Sequence, residues 1–268
     1  MIITIKKNES FLNFLSEKKI EGDYRYKYLN ILLSGIFSRK FKVDERSYVH
    51  QANGGWIVHV RTDGQLFFYG ENYTDIHISH FVRTNNIKEF LGFEIMGTRE
   101  LAHAILQRFG VDDFTVIMDR YFYQLTDYKT EPSQEGIEAA ATVDLGELVT
   151  MHQFYYQEEY KGERNKTAEY LSPGIAHSIA EGSMFILKRD GITISFCSLN
   201  DPDIGIIFTK EAYRGQGFGR RLLEYCSSLL FKKNGVAYLM TDMHNSASNF
   251  ICQKIGYKVI YKHTNLRL

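Results

Sequence analysis

The sequence of 268 residues predicts a mixed α/β fold in two domains, and three observations carry that expectation. The first is a strand, glycine loop, helix, strand unit. It runs from the β-branched stretch Ile204 to Thr209 through Arg214-Gly215-Gln216-Gly217-Phe218-Gly219 and a helix-periodic segment to the apolar run Val236 to Thr241. The second is an order of hairpin, helix and strand that occurs twice along the chain. The third is the polar stretch Asp127 to Gly136 between the two occurrences, which carries one of only three prolines and reads as a linker. Domains at 1–130 and 131–268 are therefore expected.

In the first half, a helical region around Glu9 to Phe37 precedes two strand-like runs, Trp56 to Val60 and Gln65 to Tyr69. Thr62-Asp63-Gly64 between them makes a hairpin. A helix follows from Thr98, with Leu101, Ala102, Ile105 and Phe109 on one face and Gly110 as its stop. Phe114 to Leu125 is strand-like. His77 and His80 lack further ligands at metal-binding spacing and are read as surface residues, with no metal expected.

In the second half, Leu145, Leu148, Val149, His152 and Tyr156 fall on one helical face. Met184 to Leu187 and Ile192 to Phe196, joined by Arg189-Asp190-Gly191, form a second hairpin that leads into Ile204 to Thr209. After the glycine loop, Leu222, Leu223, Cys226, Leu229 and Leu230 repeat at helical spacing, with Arg220, Arg221, Glu224, Ser227 and Lys232 elsewhere on the wheel. Asn234-Gly235 ends that helix.

A glycine loop between a strand and a helix lets the backbone reach positive φ and approach a ligand, and the first N–H groups of the helix favour an anion such as phosphate. A plain helix start with flexible glycines is the simpler reading. A nucleotide P-loop would need Gly-Lys-Ser/Thr at its end, and a dinucleotide fingerprint would need Gly or Ala where Arg220 stands. Asp242 mimics a ribose-binding acid, but too little chain follows it to complete a doubly wound sheet.

Arg214 with Gly217 and Gly219 fits the Q/R-x-x-G-x-G/A pattern, and Asn245 to Tyr257 resembles N-x-x-A/S-x-x-L/I-Y-x-K-x-G-F/Y. In this order the two motifs resemble the GNAT superfamily of N-acetyltransferases. The resemblance implies a mixed, mostly antiparallel sheet flanked by helices over about residues 145–268. By element order alone, the smaller first domain resembles a degenerate half of a two-domain member without a cofactor loop. An unrelated α/β domain that supplies a substrate wall or a dimer contact is the other reading.

The resemblance further implies acetyl-CoA as acyl donor. Its diphosphate would lie on Arg214, Gly215, Gln216, Gly217, Phe218 and Gly219. Its pantetheine arm would pair with the backbone edge at Ile207, Phe208 and Thr209, near Asn245 and Asn249. Backbone N–H near Phe208 would polarise the thioester. Asn245 serves equally as a helix N-cap. Cys252 stands where the family pattern has the tyrosine proposed to protonate the leaving thiolate. Its shorter reach leaves that role to water or another tyrosine, and packing is the plainer role for a Cys near Phe250 and Ile251. Asp242, His244, His152, His177, Glu158 and Glu159 are able to act as general base, His244 being first to test.

Equal counts of 32 basic and 32 acidic residues give no field that favours nucleic acid or an anionic membrane. The tyrosine-rich clusters at Tyr121 to Tyr123 and Tyr155 to Tyr160 lack interleaved basic residues and suggest core or cleft wall. The three cysteines lack disulfide or zinc spacing, and the N-terminal residues show no secretion signal, so a cytoplasmic protein is expected. The sequons at Asn72 and Asn165 are then chance matches. The expected function is direct transfer of an acetyl group from acetyl-CoA to an amine of a small molecule or protein, with a homodimer unsurprising. An acyl-CoA-binding regulator or scaffold is the alternative.

Overall fold

The computed structural model describes residues 3–6, 13, 14, 16, 17, 22–38, 40–42, 44, 47–128 and 131–268. Much of the helical reading between Glu9 and Gly22, and Lys129 and Thr130 of the linker, lie outside the described residues. The elements of the first half are β1 (Ile3–Lys6), α1 (Lys27–Phe37), β2 (Tyr48–Ala52), β3 (Gly55–Arg61), β4 (Gln65–Glu71), α2 (Asp75–Thr84), β5 (Glu94–Thr98), α3 (Arg99–Arg108) and β6 (Thr115–Leu125). Those of the second are β7 (Ile137–Ala139), α4 (Leu145–Glu159), α5 (Ala168–Ala180), β8 (Met184–Arg189), β9 (Ile192–Asn200), β10 (Asp203–Thr209), α6 (Phe218–Asn234), β11 (Ala237–Asp242), α7 (Ser246–Ile255) and β12 (Lys258–Arg267). No helix among the described residues is long and apolar enough to cross a membrane.

The chain forms two compact units. One is Met1–Phe122 with Thr241–Ser246 and Val259–Leu268, and the other is Tyr123–Met240 with Ala247–Lys258. In the first unit the strands run in the order β1-β2-β3-β4-β5-β12-β6. The β3–β4 hairpin closes through Thr62 N–H on Gln65 O, with Gly64 at φ +80°. Strand alternation splits its side chains between two cores. Trp56, Val58, Val60, Phe67 and Tyr69 join Leu29, Leu32 and Leu33 of α1, whereas Ile57, Leu66 and Phe68 join Phe81 of α2 and Leu101, Ala102 and Ile105 of α3. A sheet covered on both faces explains why β3 is buried along its whole length.

His77 is a correction to the surface reading. It is 1% exposed and shapes the entry of α2: its Nδ1 accepts the N–H of Thr74 at 3.1 Å, which makes Nε2 the protonated nitrogen that donates to Gly55 O at 3.1 Å.

In the second unit the strands run β11-β10-β9-β8-β7. Helices α4 and α5 cover one face, where Leu148, Val149, Met151, Leu171 and Ile175 pack on Met184, Ile186, Phe196 and Phe208. On α6, Leu222, Leu223, Cys226 and Leu230 are buried as expected, and Gly235 at φ +69° ends the helix. Ser227 departs from the expected wheel: it is fully buried, its hydroxyl 2.9 Å from that of Tyr257. A buried hydroxyl is tolerated when it has such a partner.

The two halves share one element order, α1-β2-β3-β4-α2-β5-α3-β6 against α5-β8-β9-β10-α6-β11-α7-β12. In each, the strand before the second helix of the series pairs in parallel with the strand after it, β4 with β5 and β10 with β11. The other pairings of known register are antiparallel.

Candidate functional site

Strand β10 meets its parallel neighbour β11 at a single register position, Asp203 against Tyr238, so the two part after their first residues. Its other edge stays on β9 through Ile207–Cys197, Phe208–Phe196 and Thr209–Ser195. Lys210 N–H donates to Ile194 O. The two-residue alternation of a strand then turns the N–H of Phe208 toward β9, and those of Ile207 and Thr209 toward the side that β11 has left. The amides near Phe208 that face the opening are thus those of its two neighbours.

A register slip between Ile204 and Ile207 bends β10 on the way. Gly205 lies in it, where a Cβ would stand 2.5 Å from Ser198 Oγ. That hydroxyl accepts the N–H of Ile206 at 2.8 Å, and Ser195 Oγ donates to Phe208 O at 2.8 Å. The displaced backbone keeps its hydrogen bonds through two serines.

The loop after β10 is built by three glycines with two different duties. Gly215 and Gly217 sit at φ +75° and +83°, with open space where a Cβ would be, so their requirement is conformational. At Gly219 the requirement is steric, since a Cβ would stand 2.8 Å from Thr209 Oγ1. Gly217 is the N-cap of α6 and no side chain caps it. The bond from Arg221 N–H to Gly217 O opens the helix, leaving the N–H groups of Phe218, Gly219 and Arg220 without a helical acceptor. Together with the macrodipole they form a cradle that fits a phosphate group.

The first unit has no such cradle at the corresponding place. There β4 and β5 stay paired over four positions, Gln65–Glu94 to Phe68–Gly97. The N-terminal turn of α2 is closed by His77, whose Nδ1 accepts the N–H of Thr74 while its own N–H donates to Thr74 O.

Arg214 lies across the end of β10. Its Nε donates to Thr209 O at 2.9 Å, one Nη reaches both oxygens of Glu158 at 2.9 and 2.8 Å, and the guanidinium stands 5.2 Å from the Phe208 ring centre. Glu158, one of the possible bases, is thereby an ion-pair partner of the loop. Arg189 and Arg221 both flank the ring of Phe218, at 5.6 and 5.7 Å. Sequence reasoning missed this pair, because one arginine ends β8 and the other belongs to α6.

The remaining candidates fall in varied surroundings. His152 is buried, its Nδ1–H donating to Leu148 O at 2.8 Å and its ring stacked on Phe196 at 4.1 Å. Burial holds its pKa below the usual value. It is a core residue of α4. His177 is exposed on α5, and Glu159 is half-buried on α4. His244 and Asn245 belong to the Thr241–Ser246 segment of the first unit. His244 is 80% exposed, and both its backbone N–H and its Nδ1 lie on Asp242 Oδ1, at 2.7 and 3.2 Å. Asn245 N–H donates to Asp242 O. Asn249, in the second unit, is buried and accepts from Tyr123 OH at 3.1 Å. Cys252 is 2% exposed, and burial pushes its thiol up to about 12. A thiol so placed neither ionises near neutrality nor meets solvent.

Residues 180–259 match the family model of the acetyltransferase (GNAT) domain. No curated protein matches the chain. Among solved structures, the chain is similar to a GCN5-related N-acetyltransferase from Sphaerobacter thermophilus, with 12% identity, a TM-score of 0.59, and 99% of this chain and 94% of that one covered. It is similar also to a GNAT-family acetyltransferase from Colwellia psychrerythraea, with 15% identity, a TM-score of 0.57, and 99% and 98% covered. A third, a GCN5-related N-acetyltransferase from Kribbella flavida, has 12% identity, a TM-score of 0.50, and 92% and 96% covered. At these identities the likeness is one of fold.

Proposed function

We propose that this chain, which carries a GNAT acetyltransferase domain at residues 180–259, moves an acetyl group from acetyl-CoA directly onto an amine of a small molecule or a protein. The observation that carries the reading is the parting of β10 from β11 beside an uncapped helix start. An open strand edge offers N–H and C=O groups to an extended amide-bearing arm, as an added strand would find them. The cradle at Phe218, Gly219 and Arg220 answers the diphosphate, while Ile207 or Thr209 directs an N–H at the thioester carbonyl, where negative charge grows during attack by the amine. The thioester supplies an activated acyl group, and the strand and loop hold it in place for the acceptor. In this reading residues 131–268 bind the donor, and 1–130 form a degenerate half that does not. A cytoplasmic setting belongs to the same reading, since all three cysteines are free.

Cys252 favours a second reading, an acyl-CoA-binding regulator or scaffold, because a buried thiol at the family's tyrosine position gives no acid to the leaving group. Calorimetry with acetyl-CoA followed by CoA release over a panel of amines separates them. Saturable binding with turnover on an amine supports the transferase. Binding without turnover on any amine supports the regulator, and absence of binding removes both.

A further inference from the structure

Four arginines surround the start of α6, and two of them are committed to carboxylates: Arg214 to Glu158 at 2.8 Å and Arg220 to Glu224 at 2.9 Å. Arg189 and Arg221 are not. Their nearest carboxylates, Asp190 and Glu135, stand at 3.7 and 3.9 Å, beyond hydrogen-bond reach, and are 89% and 85% exposed. The two guanidinium groups instead converge on the Phe218 ring, at the first residue of the helix. Arg189 is tied to the loop by a long contact of its Nη1 with Gln216 Oε1, at 3.4 Å. Arg221 Nε is buried with no hydrogen-bond partner among the described residues.

A buried guanidinium N–H without an acceptor is a deficit that an anion would remove. Guanidinium groups match phosphate oxygens in pairs, through two parallel N–H donors. The amides of Phe218, Gly219 and Arg220 already answer a diphosphate, so the arginine pair is positive charge in excess of that group's needs. A phosphate monoester, with a charge of about −1.5 to −2 at neutral pH, is the complement of two guanidinium groups.

We propose that Arg189 and Arg221 form a phosphomonoester subsite, which takes the 3′-phosphate of the CoA donor while the start of α6 holds its diphosphate. This rests on the donor reading above and adds to it a discrimination between CoA and its 3′-dephospho form. Both guanidinium groups stand within about 6 Å of the centre of the one Phe218 ring, at the residue that opens the helix.

Titration calorimetry of the full chain with CoA and with 3′-dephospho-CoA tests the subsite. CoA is expected to bind tighter, by on the order of tenfold or more for one lost set of charge-assisted bonds. Arg189→Gln and Arg221→Gln should each weaken CoA binding and leave 3′-dephospho-CoA binding at the parent value, which also shows that the variant is folded. Should Arg221→Gln not fold, Arg189→Gln carries the same comparison at a side chain that is 53% exposed. Equal affinity of the parent chain for both ligands overturns the subsite alone, as do variants that weaken both ligands alike. Binding of neither ligand overturns the donor reading and the subsite with it.

Discussion

Gly219 and Thr209 face each other across the base of the loop, with 2.8 Å between a would-be Cβ and the Thr209 hydroxyl. Gly219→Ala therefore has to push Thr209, on the strand edge proposed above to offer its amide to the donor, or move the helix start. A drop in acetyl-CoA affinity of about tenfold is expected, equivalent to about 1.4 kcal/mol. Adding Thr209→Ala to Gly219→Ala should recover part of the loss, since it removes the atom in conflict. Strict additivity in that double-mutant cycle would show that the contact does not matter. Cys252 gives a second residue-scale expectation. Its burial predicts that Cys252→Ala leaves turnover per folded molecule unchanged and costs stability of about 1 kcal/mol. Cys252→Tyr should overpack the site and cost about 1–3 kcal/mol, read as a lower unfolding midpoint in urea. A large loss of kcat in Cys252→Ala at unchanged stability would return the acid role to this thiol.

At the scale of elements, β2, β3 and α2 bring His50, His59, His77 and His80 into one aromatic layer. His50 lies 4.5 Å from the His80 ring and 4.6 Å from Tyr48, while His59 stacks on Phe68 at 5.1 Å. Burial, then the nearness of His80 and His77, lowers the His50 pKa to about 4, and His80 is lowered too. The unfolded chain takes up these protons first. Stability is thus full above pH ~6.5 and falls as the pH drops from there toward about 4. Urea midpoints at several pH values should show this slope, and His50→Gln should flatten it; an unchanged slope would mean that other groups set it, among them the buried His152 and His263, whose pKa values burial also lowers. The same layer marks the limit of what the sequence displays. Elements defined by local signals were legible: the hairpin turn at Gly64, the stop at Gly110 after α3, and the whole glycine loop with its helix. Helix α5 was not, because Pro173-Gly174 reads as a breaker, although Thr167 caps that helix and Leu171 and Ile175 bury its inner face. Nor were the duties of His77, Ser227 and the Arg189–Arg221 pair, each of which needs a residue distant in sequence: Gly55 for His77, Tyr257 for Ser227 and Phe218 for Arg189.

For the whole molecule, the repeated element order raises the question of how many donors one chain takes. In each half the phosphate cradle would require a parting of the two parallel strands and a helix start left open between them. The second half meets both conditions, with one register position shared by β10 and β11 and no side chain on the N-cap of α6. The first half meets neither, since β4 and β5 are zipped over four positions. Placing a ligand there would break ladder hydrogen bonds, and it would displace His77 from both Thr74 and Gly55. Gly55 is itself packed so closely that a Cβ would stand 2.1 Å from Asn72 O, which leaves no slack in the short turn before α2. One acetyl-CoA per chain is therefore the expected calorimetric stoichiometry. His77→Ala, which uncaps α2, should lower stability by about 1–2 kcal/mol without creating a second binding event. Two equivalents bound by the parent chain would show that the first half opens in solution and holds a donor of its own.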